Sequence, residues 1–307
     1  MILLWGLATD DPLAAVAAAL DLRGAPYLFV DQVATLETDI ELRVNGSVTG
    51  QLTVLGEGVA LESVRAAYLR PYDYRRLRAV QRVDEGSHVW QRAAAVEETL
   101  VVWAETTPAL VANRPSRMAS NGSKPYQAGL IRSMGLRVPA TLVTTDPQAA
   151  REFWERHGTV VYKSVSGVRS IVSRLGPDRA PDLVDVTNCP TQFQAYVPGC
   201  DYRVHVVGRE VFVSEVQSTA DDYRYAGRDG QSVSIRAAAL GSALEDACRA
   251  LVASLRLVVA GIDLRLTPAG EWYCFEVNPS PGFTYYEEAT GQPIAEGVAR
   301  LLATPSV

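Results

Sequence analysis

The chain has 307 residues, a formal net charge of −6 and an apolar fraction of 48%. This length predicts two domains or one large α/β unit, at about 100 to 200 residues per domain. The negative charge argues against a general nucleic-acid-binding protein, which normally carries a basic face, and no uncharged apolar run approaches the length of a membrane span.

Residues 1 to about 115 alternate short apolar runs with helix-like stretches, a pattern typical of an α/β layer with a parallel sheet. The run that begins at Met1 has no basic region, so it indicates a first strand rather than a signal peptide, and we expect a cytoplasmic protein. The predicted strands are 2–7, 27–30 and 64–69, and the predicted helices are 12–22 and 87–105.

The rest of the chain predicts helices together with strands that are joined by short turns. The predicted helices are 125–134, 147–156, 242–255 and about 292–303. The predicted strands are 142–143, 159–163, 192–197, 203–207, 211–217, 258–266 and 272–277. The chain has four cysteines without CxxC spacing and only three histidines, which argues against a Cys/His zinc site and against a disulfide framework.

Only two of the 29 basic residues are lysines, Lys124 and Lys163, and the other 27 are arginines. Because a lysine ammonium is a compact point charge and a guanidinium is a planar fork, these positions are candidates for sites that reject arginine. Lys163 ends an apolar run and precedes a Ser/Gly stretch, 164–170, which predicts a phosphate ligand beside a small-residue loop. The alternative is that both lysines survive by chance in an arginine-biased chain.

A second cluster of polar residues lies near the end of the chain, at Asp263, Glu276 and Asn278. Residues two apart in a strand point to the same face, so Glu276 and Asn278 project together, and Asp263 can join them if it lies on the partner strand. Such hard oxygen ligands suit Mg²⁺. The alternative is an exposed edge hairpin, but both acids sit inside apolar runs, where an unpaired charge is costly.

The segment 192–203 lies between the lysine loop and this hairpin and predicts a strand that ends in a turn. Such a strand can present backbone groups to the edge of a purine, while Asp201 can bind ribose hydroxyls and Arg203 can bind a phosphate. Together with the lysines and the acids, this segment predicts a nucleotide site.

Taken together, these segments resemble the ATP-grasp superfamily, most closely its RimK-like carboxylate–amine ligases. The most specific motifs are Ala-Gly-Ile-Asp-Leu at 260–264, Glu-Val-Asn-Pro-Ser-Pro-Gly-Phe at 276–283 and Ala-Thr-Gly-Gln-Pro-Ile-Ala at 289–295. Further similar segments are Asn-Arg-Pro at 113–115, Ser-Lys at 123–124, Val-Pro-Ala-Thr at 138–141, Gln-Ala-Tyr at 194–196 and Asp-Tyr-Arg at 201–203. The resemblance covers residues from about 113 to 300.

The resemblance implies an ATP-grasp fold of the α/β (α+β) class. We expect an N-terminal α/β pre-ATP-grasp domain over 1–115 and a central subdomain with the lysines and a phosphate lid over 116–195. A C-terminal antiparallel-sheet subdomain with the magnesium site follows over 196–307.

The resemblance also implies ATP and Mg²⁺ as cofactors, with Mn²⁺ as an alternative ion. The nucleotide-binding residues that it implies are Lys124, Lys163, Gly167, Gln194, Ala195, Tyr196 and Asp201. The implied metal ligands are Asp263, Glu276 and Asn278. We expect Arg203 and Arg224 to stabilise the transferring phosphoryl group or the acyl phosphate, although Arg224 can equally be a surface residue.

The chain departs from the family pattern at three places. Ala195 stands where glutamate is common, so adenine would rely on backbone contacts. The lid contains only one glycine, Gly167, and the loop 221–228 only partly resembles the arginine-bearing loop of the family. The sequence therefore predicts the pocket for the acceptor substrate less well than it predicts the ATP site.

The implied function is an ADP-forming ligase that joins a carboxylate to an amine through an acyl phosphate. The product could be an amide in a peptide or metabolite, or an ester or amide in a modified peptide, since graspetide-type macrocyclases share this catalytic domain. The alternatives are a catalytically reduced ATP-binding regulator or scaffold and a kinase-like phosphoryl transfer. We expect small-molecule or peptide substrates, a homo-oligomer and no nucleic-acid or membrane partner, and Arg70 can face the substrate or the surface.

Overall fold

A parallel sheet forms the centre of the N-terminal part of the chain. The computed structural model describes residues 1–165, 172–179, 181–218 and 232–304. Up to residue 112 its elements are β1 (Ile2–Gly6), α1 (Asp11–Leu22), β2 (Tyr27–Asp31), β3 (Thr38–Val44), β4 (Val48–Val54), β5 (Glu57–Ala60), β6 (Ala66–Arg70), α2 (His88–Thr106) and β7 (Leu110–Ala112).

Four parallel strands, in the order β2-β1-β6-β7, make up this first sheet. All five residues of β1 are buried, as a strand covered on both faces requires. Ile2 and Leu4 pack with α1 on one face. Leu3 and Trp5 pack with α2 on the other face. The parallel α/β layer that the sequence predicts is therefore present.

An antiparallel sheet in the order β3-β4-β5 is inserted between β2 and β6, where no strands were predicted. The first hairpin turns at Gly46, whose φ of 77° suits glycine. Leu52 of β4 is fully buried in the same core as α2. This small sheet therefore extends the N-terminal core instead of forming a core of its own.

The remainder of the chain supplies two further sheets and six helices within the described residues. In chain order the elements are α3 (Pro115–Met118), α4 (Lys124–Ser133), β8 (Thr141–Thr144), α5 (Pro147–His157), β9 (Val160–Ser164), β10 (Ser173–Arg174), β11 (Thr191–Ala195), β12 (Cys200–Val207), β13 (Glu210–Ser218), β14 (Val233–Ala238), α6 (Ser242–Ser254), β15 (Val259–Leu266), β16 (Trp272–Asn278), α7 (Thr284–Thr290) and α8 (Ile294–Ala303). Among the described residues, no helix has the length and apolarity that crossing a membrane would need.

The central sheet is antiparallel and has the order β10-β9-β11-β8. One face packs on α5, where Phe153 contacts the core that includes Val160 and Phe193. Because side chains alternate along a strand, the opposite face carries Lys163 of β9 and its cross-strand neighbour Gln192 of β11.

The C-terminal sheet has five antiparallel strands in the order β14-β13-β12-β15-β16. Val204 and Ile262 lie on the face that packs on α6, together with Leu251 of that helix. The opposite face therefore presents Arg203 of β12 and Asp263 of β15, which are cross-strand partners.

Helix α4 packs on the C-terminal sheet. Ile131 is fully buried in the core of that sheet. The Gln127 amide donates from Nε2 to the carbonyl of Val277 at 2.7 Å and accepts from the Val277 N–H at 2.9 Å. Gln127 thereby satisfies backbone groups on the outer strand β16, which has no further strand beside it among the described residues. The division at residues 116 and 196 stays a prediction.

Asn113 joins the N-terminal sheet to the C-terminal sheet. This buried side chain donates from Nδ2 to the carbonyls of Val259 and Pro279, at 2.7 and 2.6 Å. Its Oδ1 accepts from the Val258 N–H at 2.8 Å. The residue directly after β7 therefore fixes both the start of β15 and the loop that follows β16.

Candidate functional site

Asp263 and Glu276 lie opposite each other on the adjacent strands β15 and β16. Asn278 pairs with Gly261 two positions along, and its Oδ1 accepts a hydrogen bond from the Ser280 N–H at 2.9 Å. The three residues proposed from the sequence as metal ligands thus lie on one hairpin, in the arrangement that places two carboxylates side by side.

A β-bulge at Phe275 sets the direction of Glu276. The register shifts between β15 and β16 at this point, and both Cys274 and Val277 are buried in the core against α6. With an extra residue between them, Phe275 and Glu276 both face away from that core. Without the bulge, strict alternation would not place Cys274 and Val277 on the same face.

Each of the two carboxylates contacts a cation. Arg203 Nη1 lies 2.5 Å from Asp263 Oδ1, and Lys124 Nζ lies 3.1 Å from Glu276 Oε2. The Arg203 side chain is only 7% exposed and that of Lys124 is 17% exposed. Since like charges on directly opposed strand residues are unfavourable, these two cations compensate for the proximity of the acids.

Neighbouring side chains hold the Arg203 guanidinium close to β15. Its Nε donates to Nε2 of His205 at 3.4 Å, and its Cζ lies 5.8 Å from the ring centroid of Tyr286. Burial, and then the charge of Arg203, hold the pKa of His205 well below its ordinary value, so the imidazole is neutral and can accept. A Cβ at Gly261 would lie 2.3 Å from Arg203 Nη2, so only glycine leaves room for this arrangement.

Lys163 and two glutamines share the face of the central sheet that points away from α5. Gln192 pairs with Lys163 across the strands, and Gln194 Nε2 donates to Thr141 Oγ1 at 3.2 Å. Gln192 is 2% exposed, and its Oε1 has no hydrogen-bond partner among the described residues. Because a buried polar atom is normally satisfied, this face has an acceptor available for a bound ligand.

The backbone N–H groups of the predicted adenine-binding segment already have partners. Ala195 N–H donates to the carbonyl of Ala140 and Tyr196 N–H donates to the carbonyl of Thr159, both at 2.9 Å. The ring of Tyr196 stacks with Arg174, whose Cζ lies 4.2 Å from the ring centroid. An adenine at this segment would therefore meet carbonyl oxygens and side chains instead of these two N–H groups.

Asp201 is bound by an arginine that the sequence did not reveal. Arg265 Nε and Nη2 donate to its two carboxylate oxygens at 2.7 and 2.9 Å, and Nη1 donates to the carbonyl of Val197 at 2.8 Å. The same guanidinium lies 5.2 Å from the ring centroid of Phe275. The available signal was the spacing of Asp263 and Arg265, two residues apart on one strand and hence on one face.

Two predicted site residues lie outside the described part of the chain. Gly167 belongs to the predicted phosphate lid, and Arg224 belongs to the segment 219–231, which precedes β14 in the chain. Both assignments stay predictions.

Residues 122–302 match the model of the RimK-like ATP-grasp domain family. Several solved structures are similar along nearly the whole chain. A Chryseobacterium gregarium RiPP-associated ATP-grasp ligase in complex with ADP and a leader and core peptide has a TM-score of 0.84 and 22% identity, with 100% of this chain and 97% of that chain covered. Macrocyclase MdnC from Microcystis aeruginosa MRC, bound with precursor peptide MdnA, has a TM-score of 0.81 and 20% identity, with coverages of 98% and 99%.

The third structure is ATP-grasp ligase PsnB complexed with a phosphomimetic variant of its minimal precursor, Mg and ADP, with a TM-score of 0.81, 23% identity and coverages of 98% and 97%. No curated protein sequence matches the chain. At these identities the solved structures show the fold, so the predicted ATP-grasp fold is confirmed. The predicted resemblance to RimK-like proteins is confirmed by the family match.

We expect Gly261→Ala to destabilise the protein and to displace Arg203 from Asp263. The added Cβ would lie 2.3 Å from Arg203 Nη2 and 2.8 Å from Pro281 Cβ, and overpacking of this kind costs about 1–3 kcal/mol. Urea unfolding would measure the loss. Gly129→Ala is the matched control, because Gly129 lies on the exposed side of α4 with open space around its Cβ position.

The control substitution should leave stability unchanged or raise it by up to about 1 kcal/mol, since alanine is the better helix former. Equal stability of Gly261→Ala and wild type would contradict the close packing of Arg203 on β15.

Proposed function

This chain belongs to the family of RimK-like ATP-grasp domains, and we propose that it is an ATP-dependent ligase that joins a carboxylate to an amine on a peptide substrate. The observation that carries the proposal is the pairing of Asp263 and Glu276, each of which contacts a cation, Arg203 or Lys124. A site that offers both carboxylates for a metal and cations for phosphates has the two components that phosphoryl transfer requires.

The similar solved structures support a peptide as the substrate. The Chryseobacterium gregarium ligase is in complex with a leader and core peptide, MdnC is bound with precursor peptide MdnA, and PsnB is complexed with a variant of its minimal precursor. ADP is present in two of these complexes and Mg in one. These ligands support ATP as the nucleotide substrate and Mg²⁺ as the metal ion of the proposed site. The predicted homo-oligomer stays a prediction.

The residues of the acidic hairpin fit a magnesium ion. Within the described residues no three His, Cys, Asp or Glu side chains form a metal-binding group, so Asp263 and Glu276 would need the amide oxygen of Asn278 and phosphate oxygens to complete the shell. Mg²⁺ prefers such hard oxygen ligands and is usually bound through one or two carboxylates plus substrate phosphates. The ion would neutralise charge that develops on the phosphate oxygens, and Mn²⁺ suits the same donors.

Lys124 and Lys163 are the residues that would hold the α- and β-phosphates. Lys124 already contacts Glu276 at 3.1 Å, so it lies beside the proposed metal site. Lys163 is on the face of the central sheet that points away from α5, next to Gln192. An ammonium on a flexible stem can move between a carboxylate and a phosphate, whereas a guanidinium is larger and forked.

The segment 194–201, which connects the central sheet to the C-terminal sheet, would hold the nucleoside. The strand end at Gln194, Ala195 and Tyr196 would contact adenine through carbonyl oxygens and the tyrosine ring. Asp201, whose two carboxylate oxygens Arg265 holds in place, would accept hydrogen bonds from ribose hydroxyls, as an ionised carboxylate can.

The chemistry needs little from protein side chains beyond position and charge. A substrate carboxylate oxygen attacks the γ-phosphorus of ATP, the bond from that phosphorus to the β-γ bridging oxygen breaks, and ADP leaves. The substrate amine then attacks the acyl phosphate carbon, loses a proton, and expels inorganic phosphate with the C–O bond electrons. Arg203, and Arg224 from the segment outside the described residues, would stabilise the phosphoryl oxygens.

A substrate test separates this ligase from its alternatives. Purified protein with Mg-ATP would be given synthetic peptide libraries that contain Asp or Glu, with and without Lys, and ADP, phosphate and peptide mass would be measured. We expect ADP and phosphate together with a peptide that has lost one water only when carboxylate and amine are both present. Hydroxylamine should replace the amine and trap the acyl phosphate as a hydroxamate. A phosphorylated final product would contradict the amine step.

We expect Glu276→Gln to reduce Mg²⁺-dependent ADP formation by about 100-fold or more, because a neutral amide is a poor ligand for a hard cation. The protein should remain folded, as thermal unfolding would show. Glu271→Gln is the matched control on the same hairpin, where the acid forms only a surface pair with Arg137. Normal turnover by Glu276→Gln would refute the metal assignment.

We expect Lys124→Arg and Lys163→Arg to weaken ATP binding although the charge is kept. Loss of one charge-assisted hydrogen bond corresponds to about 1.5–3 kcal/mol, or an affinity about tenfold lower or worse. Titration calorimetry would measure the affinity, with Arg132→Lys on the exposed side of α4 as the reverse control. Wild-type affinity in both lysine variants would mean that the two lysines are coincidental.

A further inference from the structure

Arg70, at the end of β6, connects the N-terminal sheet to the loop after Asn278. Its Nε and Nη2 donate to Asp10 Oδ1 and Oδ2 at 2.6 and 3.2 Å. Its Nη1 donates to Ser280 Oγ at 3.0 Å and to the carbonyl of Pro281 at 2.9 Å. The side chain is 11% exposed, so this guanidinium bridges two parts of the protein instead of pointing to solvent.

Two local interactions fix the N-terminal side of this bridge. Asp10 is the N-cap of α1, and its Oδ1 also accepts from the Leu13 N–H at 3.0 Å. Gly6 pairs with Arg70 across β1 and β6, and a Cβ on Gly6 would lie 2.7 Å from the Arg70 carbonyl. The Asp10–Arg70 pair therefore stands on a rigid sheet edge and a helix start, not on a free loop.

The C-terminal side of the bridge leads directly to a proposed metal ligand. The Ser280 N–H donates to Asn278 Oδ1 at 2.9 Å, so the residue whose hydroxyl Arg70 holds also orients the Asn278 amide. The intervening Pro279 is held by Asn113, which donates to its carbonyl at 2.6 Å. The loop is thus clamped from the N-terminal domain at successive residues.

The contacts of Arg70 argue against a role in binding a substrate carboxylate directly. Arg70 does line a cavity of about 230 Å³ together with Asp10, Tyr72 and Met118. Asp10 lies on the same wall and neutralises the guanidinium through two hydrogen bonds. A second carboxylate in this cavity would be repelled by Asp10 and would have to compete with it for the fork.

We propose that Arg70 is a positioning residue for the metal site: it fixes the loop 279–281 so that the Asn278 amide oxygen is oriented toward the ion held with Asp263 and Glu276. The inference rests on the proposed function, because it needs a metal at this hairpin. Residues that orient metal ligands typically account for 10–100-fold in metal affinity when they are replaced. Lysine would keep the charge beside Asp10, but its single nitrogen cannot reproduce the planar fork whose separate nitrogens reach Asp10, Ser280 and Pro281.

The test compares Arg70→Lys with wild type in two separate binding measurements. Mn²⁺ binding in the presence of saturating ADP would be followed by electron paramagnetic resonance of the free ion. ADP binding without metal would be followed by calorimetry. We expect Arg70→Lys to weaken Mn²⁺ binding about tenfold or more and to leave metal-free ADP affinity unchanged, a split that a general loss of structure would not produce.

Arg300→Lys is the matched control. Arg300 forms the same kind of two-oxygen pair with Glu210, at 3.1 and 2.6 Å, on α8 and β13. The same chemical change there should alter neither binding measurement. Equal Mn²⁺ affinity in Arg70→Lys and wild type, or an equal fall in metal-free ADP affinity, would overturn the inference.

Ser280→Ala provides a second variant in case Arg70→Lys does not fold. It removes only one contact of Arg70, so we expect a smaller but measurable loss of Mn²⁺ affinity. If Arg70→Lys folds, the double variant should bind Mn²⁺ no more weakly than Arg70→Lys alone. Unchanged Mn²⁺ affinity in Ser280→Ala, or additive losses in the double variant, would also overturn the inference. Absence of Mn²⁺ binding by wild type with ADP would instead refute the proposed function.

Discussion

The carboxylates of Asp263 and Glu276 face each other across two hydrogen-bonded strands, and the surrounding structure offsets their repulsion. Like charges at directly opposed positions destabilise a sheet, yet the β-bulge at Phe275 turns Glu276 toward Asp263 instead of away from it. The compensating cations come from two different elements, Arg203 from β12 and Lys124 from α4. The hairpin, its neighbouring strand and this helix therefore have to assemble together.

Side-chain amides join these elements where strand pairing cannot. Gln127 bonds to both backbone groups of Val277 on the outer strand, and Asn113 does the same at the start of β15 while also holding Pro279. A side-chain amide offers both a donor and an acceptor, so it can satisfy an N–H and a C=O on a strand edge without a further strand. Each amide also sets the position of an element beside a proposed site residue: α4, which begins at Lys124, in one case and the loop after Asn278 in the other.

Periodic apolar runs made much of this architecture predictable from the sequence, including the hairpin that places Asp263 beside Glu276. The sheet of β3, β4 and β5 was missed although residues 38–44 alternate and an Asn-Gly pair follows at 45–46, which is the usual signal of a hairpin. The bulge at Phe275 could not be foreseen, because no residue type marks it. The spacing of Asp263 and Arg265 places both side chains on one face of β15, but the contact of Arg265 with Asp201 also depends on the register between β12 and β15, which the sequence does not determine.

The site already contains counter-ions for its two carboxylates, because Arg203 pairs with Asp263 and Lys124 pairs with Glu276. A metal ion that arrived alone would compete with two cations already in contact with Asp263 and Glu276, and a phosphate that arrived alone would compete with those two carboxylates. When metal and nucleotide enter together, the partners can be exchanged so that no charge in this partly buried site is left without an opposite one. Each ligand should then strengthen the binding of the other by the same factor, which would tie occupancy of the site to the metal–nucleotide complex over either component alone.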